Sequence, residues 1–322
     1  MIVLTNLGRQ RRLRRCANAS GTFTVLAIDH RGPLRRHLAA HAPDLQQGAL
    51  DVLLADVKED IVRELGPLAS AVLLDPEVGL PRCLASHAIP AQVGLLAALD
   101  TGSTGDPGNV CTGLVPDWSA EKALRAGADG AKLLVYYEPG KPTAVVTEEL
   151  VRRIAMECAE QGLPLYLEPL VHLHDRSFSA LSPMEKRRLV VETARCLAPL
   201  GVDVMKVQFP GGSEPGGDLS AWREACEELT SVCPVPWVLL SGGVSFETFL
   251  VQARVAGEAG ASGFIAGRAI WDGALDADPD RRKAFLTGEA RVRLKRLSDI
   301  CAGGARPVPG CIAPDGRPVE HP

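Results

Sequence analysis

Eight short runs of aliphatic and β-branched residues recur along the chain, at 23–29, 70–75, 92–99, 130–136, 163–168, 202–208, 237–241 and 263–266. Each is apolar almost without interruption, the pattern of a parallel strand covered on both faces. Between most of them lie longer stretches with apolar residues every three or four positions. In 45–65, Leu50, Leu53, Leu54, Val57 and Ile61 fall at helical spacing, with Asp51, Lys58 and Glu59 elsewhere around the turn. Segments 146–161, 183–200, 220–230 and 245–259 behave alike. Gly127, Gly162, Gly201 and Gly260 stand where a helix would stop and a strand begin.

This alternation predicts an α/β fold, a single-domain (β/α)8 TIM barrel. A doubly wound sheet is the other way to arrange such units, but no Gly-x-Gly-x-x-Gly follows the first strand. The barrel is expected over 1–301, with a short N-terminal helical extension. A tail over 302–322, rich in Gly and Pro, is expected to be irregular. The arginines between Arg9 and Arg15 read as one solvated helix face.

Composition narrows the class. With 322 residues and a net charge of −4, the chain is not expected to bind nucleic acid generally or to attach to acidic membranes. Its nine cysteines include no Cys-x-x-Cys pair, and several lie in apolar helical patterns, so they read as free buried thiols. No apolar run is long enough to span a bilayer, and no signal-peptide core follows the early arginines. A cytoplasmic enzyme is the expectation, and a homo-oligomer is compatible with it.

In a barrel of this type the chemistry sits at the C-terminal ends of the strands. Those ends carry Asp29, His30 and Arg31; Asp75 and Glu77; Lys132 and Tyr136; Glu168; Lys206; Ser241, Gly242 and Gly243; and Gly267 and Arg268. Lys206 stands out as a cation inside Val202-Asp-Val-Met-Lys-Val-Gln-Phe-Pro210. Its plain reading is a packed stem with the ammonium reaching water. Its chemical reading is an amine whose desolvation, or whose proximity to Lys132, favours the neutral nucleophile. Glu168 ends an apolar strand and is placed to relay protons, to pair with a lysine, or both. The glycines after strands seven and eight precede helix starts, so with Arg268 they form a candidate site for phosphate or a similar anion.

At these residues the chain resembles a known family. Leu26-Ala-Ile-Asp-His-Arg-Gly32, Leu73-Leu-Asp-Pro-Glu77, Gly127-Ala-Asp-Gly-Ala-Lys-Leu-Leu-Val-Tyr-Tyr137 and Asp203-Val-Met-Lys206 are similar to class I tagatose 1,6-bisphosphate aldolases. Leu167-Glu-Pro169, Trp237-Val-Leu-Leu-Ser-Gly-Gly-Val244 and the segment from Glu258 to Trp271 resemble the related bacterial sulfofructose-phosphate aldolases. The resemblance implies a (β/α)8 fold and a sugar-phosphate substrate, with no metal or other cofactor. It further implies a Schiff base on Lys206, Glu168 as acid and base, and Asp29 and Lys132 lining the site. His30 stands where relatives usually carry glutamine, Gln208 where a glutamate is usual, and segment 100–113 departs from both groups.

The favoured reading is therefore cleavage of a tagatose-type ketose 1,6-bisphosphate to dihydroxyacetone phosphate and glyceraldehyde 3-phosphate. Its alternatives are cleavage of 6-deoxy-6-sulfofructose 1-phosphate, or sugar-phosphate sensing without chemistry. A further rival is a metal-dependent aldolase or isomerase that uses His172 and His174, which share a face on an extended segment. His30 and Arg31 are expected near the substrate, with a structural ion pair the other reading of Arg31.

Overall fold

The computed structural model describes residues 4–104, 110–212 and 217–309. All eight predicted strands are present: β1 (Phe23–Ala27), β2 (Ala71–Leu74), β3 (Gly94–Ala98), β6 (Gly130–Tyr137), β7 (Leu165–Val171), β8 (Val204–Val207), β9 (Trp237–Leu239) and β10 (Gly263–Ala266). They close into a parallel barrel in the order β1-β10-β9-β8-β7-β6-β3-β2. Amphipathic helices such as Gln47–Leu65, Pro142–Glu160, Pro183–Leu197 and Phe246–Glu258 return the chain between strands. Ser182 opens one of them with a capping box to Glu185, and Asp218 and Ser245 cap two others, so orphan N–H groups at these helix starts are satisfied.

Strand parity divides the core in two. Outward positions join the helices in one large shell that includes Leu54, Val57, Val72, Leu133, Leu167, Met205 and Leu239. Inward positions, Phe23, Val25, Ala27, Leu73, Leu96, Ala98, Tyr166, Val204, Val238 and Ile265, fill the lumen as a separate cluster. Side chains two apart on a strand face the same way. The next inward residues after this packed floor are therefore Asp29, Lys132, Glu168 and Lys206. Gly130 is needed in the floor itself, since a Cβ there would lie 2.6 Å from both Leu96 and Tyr166.

The structure corrects two expectations, on the arginine helix and on the tail, and adds one element between them. The arginine-rich helix Leu4–Arg15 lies across the N-terminal mouth of the barrel instead of presenting a purely solvated face. Arg9 bonds Asp203 at 2.5 Å, Arg15 bonds Asp129 at 2.8 Å, and Arg12 donates to the Gly162 carbonyl at 3.1 Å, each partner lying just before a strand or on the turn that leads to one. Segment 100–113 opens into an antiparallel hairpin, β4 (Asp100–Thr104) and β5 (Cys111–Leu114), whose run of Gly, Ser and Thr carries no apolar alternation. The last helix reaches Gly304, and Val308 beyond it is buried with its N–H on the Gly21 carbonyl. The chain thus stays docked past residue 301, while 310–322 lie outside the described residues. No helix among the described residues is long and apolar enough to cross a membrane.

Candidate active site

Directly above the apolar floor, five ionisable side chains from strands and strand ends meet. Lys132 Nζ lies 2.8 Å from Asp29 Oδ2, 3.2 Å from Asp100 Oδ1 and 2.9 Å from Glu168 Oε2. Lys206 Nζ lies 2.9 Å from the same Glu168 oxygen. One carboxylate oxygen is therefore shared by two ammonium groups. All five residues are buried: Lys132 is 1% exposed, Lys206 4%, Glu168 8%, Asp29 9% and Asp100 2%. A lone lysine would not be retained there, because an unpaired buried charge costs several kcal/mol, roughly.

The charges set each other's protonation. Burial alone would make Lys132 less basic, but Asp100, Asp29 and Glu168 outweigh it and raise the ammonium well above its usual value. Burial also opposes ionisation of Glu168, yet Lys132 and Lys206 hold its carboxyl below the usual range. Asp29 follows the same logic, held far below a normal carboxylate by Lys132, Lys206 and His30. Glu168 therefore rests as a carboxylate, able to accept a proton. The sequence expectation of two lysines repelling one another is amended here: Glu168 stands between them, and Asp29 and Asp100 balance Lys132.

His30 lies at the edge of this cluster. Its ring meets Trp271 edge-on with centroids 5.6 Å apart, and Nδ1 stands 3.9 Å from Asp29 Oδ1. Burial lowers its pKa to about 4 despite Asp29, so the imidazole is neutral near pH 7. Trp271 is fixed in turn by a bond from Nε1 to the Ala27 carbonyl at 3.0 Å.

The two glycine loops flank the same end of the barrel. Gly242 and Gly243 adopt left-handed φ values of 59° and 81°, which a side chain would strain. They lead into the helix Phe246–Glu258, capped by Ser245. Gly267 passes so close to β1 that a Cβ would lie 2.5 Å from the Ala27 carbonyl. Arg268 follows it, exposed, with its guanidinium over Gly243 and no protein partner among the described residues. Ser241, Gly242, Gly243, Gly267 and Arg268 thus converge, with N–H groups and one free cation available to an anion.

Other sequence candidates fall elsewhere. Arg31 bonds Glu77 and the Asp100 carbonyl, so its guanidinium is engaged in the ion pair that was its second reading. Asp75 leaves the crown altogether: it turns outward, accepts N–H groups from Val78 and Gly79, and pairs with Lys58. Lys58 itself is fully buried, against its expected polar position on the helix. Gln208 accepts the Val171 N–H at 2.8 Å and ties β8 to β7. His174 is exposed while His172 packs on Tyr136, and among the described residues no group of three His, Cys, Asp or Glu is arranged to hold a metal ion. Asp100 is the member the sequence did not disclose. It follows β3 at the parity of Leu96 and Ala98, the one signal that could have found it.

A closed eight-stranded barrel with a lysine–carboxylate cluster at the C-terminal ends of its strands defines the class: an enzyme that acts inside a TIM barrel mouth. Residues 23–273 match the DeoC/LacD family of aldolases, and the chain belongs to that family. It is an aldolase, a carbon–carbon lyase. The tagatose 1,6-diphosphate aldolase 2 of Enterococcus faecalis is 30% identical over 329 residues, covering 95% of this chain and 96% of the relative. That of Streptococcus mutans is 32% identical, with 92% and 94% covered. Among solved structures, a fructose-bisphosphate aldolase from Plasmodium falciparum superposes with a TM-score of 0.73 at 17% identity, covering 95% of this chain and 97% of that one. An archaeal fructose-1,6-bisphosphate aldolase, trapped with its catalytic lysine bound to a carbinolamine, gives 0.60 at 21% identity, covering 92% and 100%. At these identities the two structures speak for the fold.

Proposed function

We propose that this chain cleaves a ketose 1,6-bisphosphate of the tagatose type into dihydroxyacetone phosphate and glyceraldehyde 3-phosphate, in the cytoplasm, through a Schiff base on Lys206. The observation that carries the reading is the shared contact of Glu168 Oε2, 2.9 Å from both Lys206 and Lys132. A base beside the nucleophile and a permanent cation on its other side suit proton traffic around an imine. The substrate class rests on the two tagatose 1,6-diphosphate aldolases that match along nearly their whole length.

In this cycle Lys206 passes its proton to Glu168, and the neutral amine attacks the C2 carbonyl. Loss of water leaves an iminium ion, an electron sink beside the C3–C4 bond. Glu168, again a carboxylate once that water has carried the proton away, takes the C4 hydroxyl proton. The C3–C4 pair flows into an enamine and the aldehyde leaves. Protonation at C3 and hydrolysis of the imine release dihydroxyacetone phosphate and restore the amine. Lys132, kept charged by Asp29 and Asp100, holds Glu168 in place throughout. The loop of Ser241, Gly242, Gly243, Gly267 and Arg268 binds one terminal phosphate and so positions C2 against the amine.

The second reading, 6-deoxy-6-sulfofructose 1-phosphate as substrate, draws on the sequence between residues 237 and 271 and requires the same site chemistry. Supplying tagatose 1,6-bisphosphate, fructose 1,6-bisphosphate and 6-deoxy-6-sulfofructose 1-phosphate in parallel and comparing kcat/KM tests the choice. The proposal expects the largest value for tagatose 1,6-bisphosphate. A preference for the sulfonate overturns it in favour of the second reading.

A further inference from the structure

Resting on the anion reading of the glycine loops, we propose that Arg293 is a positioning residue for the reaction. It braces the loop after β9 against the loop after β10, so that their N–H groups and Arg268 present a single site to a substrate anion. The two loops arrive on separate strands, and the sheet does little to fix their spacing. β9 and β10 share one paired position, Phe264 with Leu239. Gly242, Gly243 and Gly267 carry no side chains that could tie one loop to the other. Glycine lets the backbone approach an anion closely, but it also widens the range of conformations a loop can sample. A loop pair that must be ordered on binding loses affinity to that ordering, whereas a braced pair does not.

Arg293 reaches both loops from the helix Arg291–Gly304. Its Nη1 donates to the carbonyl of Ala269, the residue after Arg268, at 3.2 Å. Its guanidinium carbon lies 5.3 Å from the ring centre of Phe246, which opens the helix that follows Gly242 and Gly243. Phe285 covers the same group at 5.4 Å, and Glu289 pairs with Nη2. Phe246 is buried, so the brace bears on a packed ring. Arg296 adds a grip on the β9 side: it forks onto Glu247 at 2.9 and 3.2 Å and lies 5.1 Å from the Phe246 ring centre. A planar fork offers a face to the rings and edges to a carbonyl and a carboxylate, which an ammonium cannot do at once. Arg293 thus acts through Arg268 and the glycines, without touching substrate.

The test measures KM and kcat for a ketose 1,6-bisphosphate, and kcat/KM for the same ketose without phosphates. It uses the intact chain, Arg293→Met, Arg268→Ala and the double variant. Methionine keeps an apolar stem against the rings and drops the guanidinium. Arg293→Met is expected to raise KM for the bisphosphate about three- to tenfold, the effect of one ordinary hydrogen bond, with kcat within about twofold of the parent. Cleavage of the unphosphorylated ketose should match the parent. In the Arg268→Ala background the further rise should be less than about twofold, because residues that act as one unit are not additive. Arg293→Lys keeps a charge over the rings and a donor, so its KM should fall between those of the parent and Arg293→Met. The lysine variant carries the same comparison where the methionine variant fails to fold. An unchanged KM in a folded variant, equal losses on both substrates, or a fully additive loss on Arg268→Ala overturns the brace and leaves the anion site standing. A parental KM in Arg268→Ala, or a parent chain that cleaves no ketose 1,6-bisphosphate, removes the reading on which the brace rests, and the brace with it.

Discussion

Two buried lysine–carboxylate groupings lie within one barrel and do different work. Lys58, on the helix Gln47–Leu65, and Asp75, after β2, are both fully sealed. The ammonium also bonds the Ile28 carbonyl at 3.0 Å, and the carboxylate takes the N–H groups of Val78 and Gly79. Every partner is part of the chain and the grouping is closed. Lys206 and Lys132 instead share one oxygen of Glu168 at the open end of the lumen. Asp29 and Asp100 give Lys132 two more carboxylates, whereas among the described residues the Lys206 ammonium forms its ion pair with Glu168. A closed pair stabilises a strand end; a shared carboxylate, with one lysine lightly held, can change partners during a reaction. Burial of charge is common to both, so burial alone does not mark a catalytic lysine.

This contrast can be broken first at Glu168. Glu168→Gln keeps the shape but cannot accept a proton, so kcat should fall about 10²- to 10⁴-fold with KM little changed. Steady-state kinetics on the bisphosphate check it, and an unaltered kcat would make Glu168 a structural ion partner only. The opposite pattern is expected at the sealed pair. Lys58→Met leaves Asp75 buried without its cation, which should cost about 3–5 kcal/mol of stability, seen in denaturant unfolding, while kcat stays within a few-fold. A catalytic loss larger than the stability loss would unite the two groupings.

Smaller effects sharpen the picture. Arg268→Ala should raise KM for ketose phosphates roughly ten- to a hundredfold through one lost charged bond. An unphosphorylated ketose should be unaffected, and equal losses would make Arg268 a support of the barrel rim. The smallest effect is at His30. The folded chain lowers its pKa to about 4 and so favours the neutral ring. An unfolded histidine takes its proton near 6.5, roughly. The stability contribution is therefore complete above that value and is lost as pH falls toward about 4. His30→Gln should reduce the fall in Tm between those limits, and an unchanged slope would remove His30 from that account.

How much of this was legible in the sequence follows from where parity holds. Lys132, Glu168 and Lys206 lie within strands, and Asp29 follows β1 so closely that its direction continues the strand. Continuous apolar runs located those strands, and strand ends located the site. Asp75 sits as near to β2 as Asp29 does to β1, yet the chain turns there, and Lys58 draws its carboxylate outward. Nothing in the local pattern announced that turn. Lys58 occupies the helical face of Leu54, Ile61 and Leu65, but its charge assigned it to the polar side until its partner was visible. Asp100 was hidden because it opens a Gly-, Ser- and Thr-rich hairpin with no periodicity, although it continues the inward parity of Ala98. Long-range pairing, and not local propensity, decided all three positions.

The central claim is that Lys206, the lysine paired with Glu168 at the open end of the lumen, forms the covalent bond, and it can be read directly. Incubation with dihydroxyacetone phosphate followed by borohydride reduces any imine to a stable secondary amine, and peptide mass spectrometry then locates the label. The account predicts loss of activity with the added mass on the peptide that contains Lys206, and no labelling in a folded Lys206→Arg variant. A label on Lys132, on Lys58 or on the exposed Lys141 would contradict it.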